Sequence, residues 1–114
     1  MKHKFALTIG AMKDICERCP DHDINQVEKL FSYDDYSTTL DNMVWFILTL
    51  NKWGVFRETR SFDGCLAEEE ILAMDMNEIN VLFAEAMSAF RNDGTSETEI
   101  EPTKKAEAVP QKND

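Results

Sequence analysis

The chain has 114 residues, 22 Asp and Glu against 12 Lys and Arg, a formal net charge of −10 at pH 7, and a hydrophobic fraction of 43%. That length allows one domain with a modest core. No run of about 18 apolar residues is present, which excludes a membrane-spanning helix, and no cluster of Lys and Arg is present, which argues against a nucleic-acid partner.

The N-terminus is basic, but Lys13 and Asp14 cut its apolar patch too short for a secretion signal. Three cysteines, an odd number, suit a reducing compartment, so the expected location is the cytoplasm. Residues 1–92 hold 16 acids and 9 bases (−7) and residues 93–114 hold 6 acids and 3 bases (−3), so both parts of the chain are acidic.

Residues 4–7 (KFAL) read as a short strand leading in, with Thr8 as an N-cap. Met12, Ile15, Cys16 and Cys19 repeat at helical spacing until Pro20 stops the helix. Asp23 with Gln26 resembles a capping pair. Ile24, Val27, Leu30 and Phe31 then place one apolar face on a short second helix. SYDDYSTT is a polar connection in which Ser37 or Thr38 caps the next helix.

Residues 40–53 (LDNMVWFILTLNKW) predict the central helix. Its apolar residues cover well over half the circumference at about 100° per residue, so neighbours must surround it. Asp41, Asn42, Thr49 and Lys52 form the remaining strip, with Trp45 in its middle. Trp45 is therefore either covered by another part of the chain or left for a partner. Gly54 reads as the helix end, and Lys52 suits the negative end of the helix dipole.

Residues 55–66 show no clean period. The reading is a loop with a turn at Asp63-Gly64 and one short strand at 55–57 able to pair with 4–7. Glu68-Glu69-Glu70 opens a short helix through Ile71, Leu72 and Met74. The last helix is capped by Asp75 with Glu78. Ile79, Leu82, Phe83, Ala86, Met87 and Phe90 form the stripe that docks it on the central helix. From Asn92 on, the sequence lacks aromatics and is rich in charge, Thr and Ala, the composition of a disordered tail. The expected fold is mainly α: a domain over 1–92 of four to five helices, at most one short β element near the N-terminus, and a disordered tail over 93–114.

For chemistry, Cys16, Cys19 and His22 make C-x2-C-x2-H, to which Cys65 or His3 could add a fourth zinc ligand. The second cysteine pair of ordinary zinc motifs is missing. Both cysteines also lie on an apolar helix face, where a free cysteine behaves as a small hydrophobe. Core cysteine is the preferred reading and no cofactor is expected. Asp34-Asp35 and Glu68-Glu69-Glu70 read as solvated acids rather than an acid–base pair. No nucleophile, phosphate-loop or calcium-loop pattern occurs, so an enzyme is not expected. Trp45, Trp53, Phe56, Phe62, Met74 and Met76 lie off the clean stripes or near connections. Trp45, Trp53, Phe56 and Met76 are the candidate partner-binding residues.

The order of elements resembles the tail assembly chaperones of long-tailed bacteriophages. FALTIGAMKDICE is a strand turning into a helix, TLDNMVWFILTLNKW a long apolar helix, and LAEEEILAMDMNEINVLFAEAMSAF a short acidic helix before an amphipathic one, with a polar tail behind. The resemblance covers about residues 4–92 and rests on pattern and spacing. It departs at the N-terminus, where many members carry a β-hairpin and only residues 4–7 stand here. It implies a non-catalytic protein of the infected bacterial cell, absent from the finished particle. Such a protein coats the tape-measure protein and recruits tail-tube subunits. In many members a ribosomal frameshift yields a longer form, and Lys104-Lys105 stands where such a slip could occur. Two other readings remain open on the residues alone: an acidic DNA mimic that occupies a basic protein, and a small zinc-binding module. A homo-oligomer is compatible with all three.

Overall fold

The computed structural model describes residues 3–91. The expectations for the tail, including Lys104-Lys105, lie outside those residues. The described chain is mainly α-helical: α1 (Ile9–Arg18), a 3₁₀ turn (Pro20–His22), a 3₁₀ helix (Ile24–Phe31), α2 (Tyr36–Thr59), α3 (Glu68–Leu72) and α4 (Met76–Arg91). None of the described helices is long and apolar enough to cross a membrane.

α2 is the hub. Its 24 residues span about 36 Å at 1.5 Å per residue, and α1, the 3₁₀ helix, α3 and α4 all pack on it. Phe46, Ile47 and Leu50 are fully buried along its length. Phe46 sits at the centre of a ring cluster, 5.2 Å from Phe31 and 5.7 Å from both Phe83 and Phe90 between centroids. A helix apolar on most sides must be buried on most sides, and this one is.

Only part of the strip expected to face water does so. Asp41 is exposed, but Asn42 and Thr49 are buried. Asn42 Nδ2–H donates to the Leu30 carbonyl (2.7 Å), and its Oδ1 accepts from Arg18 Nε–H (2.9 Å). The amide thus ties the 3₁₀ helix and α1 to the hub. A buried amide is tolerated when its donor and acceptor are both answered.

Gly54 does not end the helix. α2 continues to Thr59 and ends at Arg60, left-handed at φ 61°. The reason for glycine is space. A Cβ at Gly54 would stand 2.9 Å from the carbonyl carbon and oxygen of Lys4 and 3.0 Å from the Phe5 nitrogen. The N-terminal segment therefore crosses α2 in direct backbone contact. There Ala6 N–H donates to the Leu50 carbonyl (3.1 Å) and Asn51 Nδ2–H to the Lys4 carbonyl (2.9 Å). The strand expected at 55–57 is helix, so the expected pairing with 4–7 gives way to contacts with the side of α2.

Local signals held in most places. Thr8 Oγ1 accepts from Ala11 N–H (3.1 Å), and Pro20 stands directly after the C-cap of α1. Asp75 and Glu78 form a reciprocal box, with Glu78 N–H donating to Asp75 Oδ1 (2.9 Å) and Asp75 N–H to Glu78 Oε1 (3.0 Å). The cap of α2 is Asp35, accepting from Ser37 N–H (3.1 Å), rather than Ser37 or Thr38. Asp23 caps the 3₁₀ helix through Asn25 N–H (3.0 Å), and Gln26 makes no reciprocal bond there. In that 3₁₀ helix Ile24, Val27 and Leu30, three residues apart, share one face.

Candidate functional site

The zinc candidates do not converge. Cys19 is buried in the core beside Ile15 and Val27, Cys16 is half-buried, and His22 is exposed. Burial pushes the Cys19 thiol above its ordinary range, with smaller contributions from Cys16 and Asp23. Burial likewise raises Cys65, helped by Asp63 and opposed by Lys52. A raised thiol is a poorer thiolate ligand. Among the described residues no three His, Cys, Asp or Glu side chains stand together as a metal site. Asp21 and His22 both hold left-handed backbone (φ 58° and 56°), which turns the chain between α1 and the 3₁₀ helix.

Three of the four candidate binding residues come together on α2. Trp45, Lys52 and Phe56 fall on one helix face at i, i+7 and i+11, and Trp53 borders it. Trp45 is half-buried beneath the Arg18 guanidinium, which lies 4.5 Å from its ring centroid. Asp14, Glu17, Arg18, Trp45 and Lys52 line a shallow polar groove there. Trp45 is thus covered partly by α1 and partly open.

Trp53 is held more firmly. Its Nε1–H donates to Asp14 Oδ2 (2.8 Å), which also pairs with Lys52 Nζ (3.5 Å). Its ring lies on Gly10, where a Cβ would approach Trp53 Cζ2 to 2.5 Å. The open edge of Trp53 meets Phe56 and Phe62, with centroids at 6.0 and 5.4 Å and both rings edge-on. Phe56 and Phe62 stack at 4.6 Å. Phe62 remains 48% exposed. It completes the cluster from the loop after α2, and its place depends on α2 running on to Thr59, which no local signal announces. Met76 is exposed on a different element, the first turn of α4. Leu72 is exposed on α3, Val81 on α4 and Ile9 on α1.

A second groove runs between the 3₁₀ helix and α4. Phe31, Phe83 and Met87 line it, and the Glu28–Arg91 ion pair (2.7 Å) stands at its rim.

In comparisons with protein-family models, curated proteins and solved structures, the chain matches none.

Proposed function

We propose that this chain is a non-catalytic assembly chaperone of the kind its element order resembles. It would bind an amphipathic helical client, the tape-measure protein of a long-tailed phage, and help recruit tail-tube subunits in the cytoplasm of the infected cell. The observation that carries the reading is the ring cluster of Trp53, Phe56 and Phe62, half-open at the end of the hub helix. Rigid aromatics supply contact area at low entropic cost, and an amphipathic helix needs an apolar anchor surface with a polar rim. Trp45 and Lys52 extend the surface along α2 toward Arg18.

The test is capture of partners by the tagged full chain, produced in the native host during phage growth and analysed by mass spectrometry. The expected result is a very long helical protein or the tail-tube subunit, lost or strongly reduced with Trp45→Ala/Phe62→Ala, while circular dichroism keeps the helical spectrum. Capture of a basic DNA-binding protein instead, released by salt, would replace this reading by the mimic.

A further inference from the structure

The aromatic surface makes no use of Cys16 and Cys19, and among the described residues they belong to no group that could hold a metal. The two nevertheless share one turn at the C-terminal end of α1. Cys19 N–H donates to the Cys16 carbonyl (3.2 Å) as well as to the Ile15 carbonyl (3.1 Å). A backbone bond from residue i+3 to residue i goes with Cα atoms within about 7 Å, and a disulfide spans about 4.4–6.8 Å between Cα atoms. Cys19 keeps a near-helical φ of −71°, so its Cβ leaves the chain as a helical one does, on the side that Cys16 also takes. Cys16 is near enough for its charge to help raise the Cys19 thiol, whereas Cys65 feels Asp63 and Lys52 instead.

The pair is unequal in access. Cys16 is half-buried and open to a small reagent, while Cys19 is 3% exposed and belongs to the core. An oxidant from solution therefore meets Cys16 first, and Cys19 is reached from Cys16. All three cysteines of the chain are free thiols. The residues inside the shared turn are Glu17 and Arg18. Arg18 is the side chain whose Nε–H donates to Asn42 (2.9 Å) and whose guanidinium lies over Trp45 (4.5 Å).

We propose that Cys16 and Cys19 are a thiol pair that a small-molecule disulfide oxidises to an intramolecular bond, and that this bond loosens the cover of Trp45 by Arg18. Cys16 loses its proton to water, and its thiolate attacks one sulfur of the oxidant. The oxidant's S–S bond breaks and one thiolate leaves, so a mixed disulfide stands on Cys16. Cys19 then loses its proton, attacks the Cys16 sulfur and expels the second thiolate. Two protein thiols are oxidised to one disulfide, and one oxidant disulfide is reduced to two thiols. On a helix, Cβ atoms three residues apart lie about 5–6 Å from each other, and a disulfide draws them to about 3.5–4.5 Å. Closing the bond therefore pulls in the last turn of α1 and moves Arg18 away from Asn42 and Trp45. A bond closed against such geometry is readily reduced, so an excess of thiol restores the pair. The switch rests on α1 and its cap and does not depend on the chaperone reading.

The test is equilibration of the folded full chain with oxidised glutathione at mildly alkaline pH, followed by acid quenching, blocking of free thiols and mass spectrometry. Wild type is expected to lose two hydrogens between Cys16 and Cys19. Trypsin cuts after Arg18, between the two cysteines, so digestion without reductant is expected to leave residues 14–18 joined to residues 19–29. Cys65→Ser is expected to give the same joined peptides. Cys19→Ser is expected to stop at the mixed disulfide and keep glutathione on Cys16. The readout of Arg18 is the indole N–H resonance of Trp45, identified by its loss in Trp45→Phe. It is expected to shift on oxidation and to return with dithiothreitol, while the Trp53 indole, held by Asp14 one turn earlier, stays in place. A wild type that keeps glutathione on Cys16, fails to react, or links either cysteine to Cys65 would overturn the pair. A joined pair with an unmoved Trp45 indole, or with resonances collapsed across the whole spectrum, would overturn the coupling to Arg18. None of these outcomes bears on partner capture, so the chaperone reading is tested separately.

Discussion

Asn51 makes the most consequential polar contacts of the hub helix. Its amide donates to the Lys4 carbonyl and accepts from Leu66 N–H, so one buried side chain holds both the N-terminal segment and the start of the α3 region. Asn51→Leu removes both bonds and strands two backbone groups. We expect a loss of roughly 2–4 kcal/mol, read from urea unfolding, with faster amide exchange at Leu66. Gly54 acts on the same segment through space. Gly54→Ala forces a methyl against the Lys4 carbonyl at 2.9 Å and should cost roughly 1–3 kcal/mol, with amide shifts concentrated at Phe5 and Ala6 in a nitrogen–proton spectrum. Cys19 links stability to pH. Its folded pKa is raised above the ordinary 9.0, chiefly by burial. The fold therefore prefers the neutral thiol, and that contribution is complete below pH 9 and is lost as pH rises through the folded value. The urea midpoint of wild type should fall more steeply above pH 9 than that of Cys19→Ala.

At the scale of elements, caps and stripes decided where helices begin. Thr8, Asp75 and Pro20 act as their side chains dictate, because a cap is a contact within three residues and needs no tertiary partner. Asp75→Ala should cost about 1 kcal/mol of stability, measured by thermal unfolding, with fraying confined to the first turn of α4. Element ends were less legible where distant backbone intervened. Gly54 has the sequence context of a terminator, yet it is interior to α2, since its missing Cβ admits residues 4 and 5 from the other end of the chain. The helix then runs on to Thr59 and carries Phe56 out beside Trp53. The 3₁₀ helix shows a complementary case. Its apolar face of Ile24, Val27, Leu30 and Phe31 was legible in the sequence, and its 3₁₀ winding was not. In the fold Val27 and Leu30 are buried and Asn42 holds the Leu30 carbonyl.

For the whole molecule, charge and core pull in different directions. The net charge of −10 favours solubility but loads the folded state with self-repulsion. Moderate sodium chloride should therefore raise the urea midpoint slightly, and unfolding monitored at two salt concentrations checks this. Composition and periodicity determined that the chain folds as a mainly α-helical domain around residues 40–53, because burying so wide an apolar circumference leaves a helix no choice but to be surrounded. They also placed α4 and the caps of α1 and α4. The tertiary structure alone decided that Asn42, Thr49 and Asn51 are interior. A polar side chain can be buried only where a particular distant partner answers it, as the Leu30 and Lys4 carbonyls answer Asn42 and Asn51. It also decided that Arg18 covers Trp45 and that Phe62 joins Trp53 and Phe56. Local spacing fixes which face a residue takes on its own element. What meets that face depends on how the elements pack, and no period in the sequence encodes it.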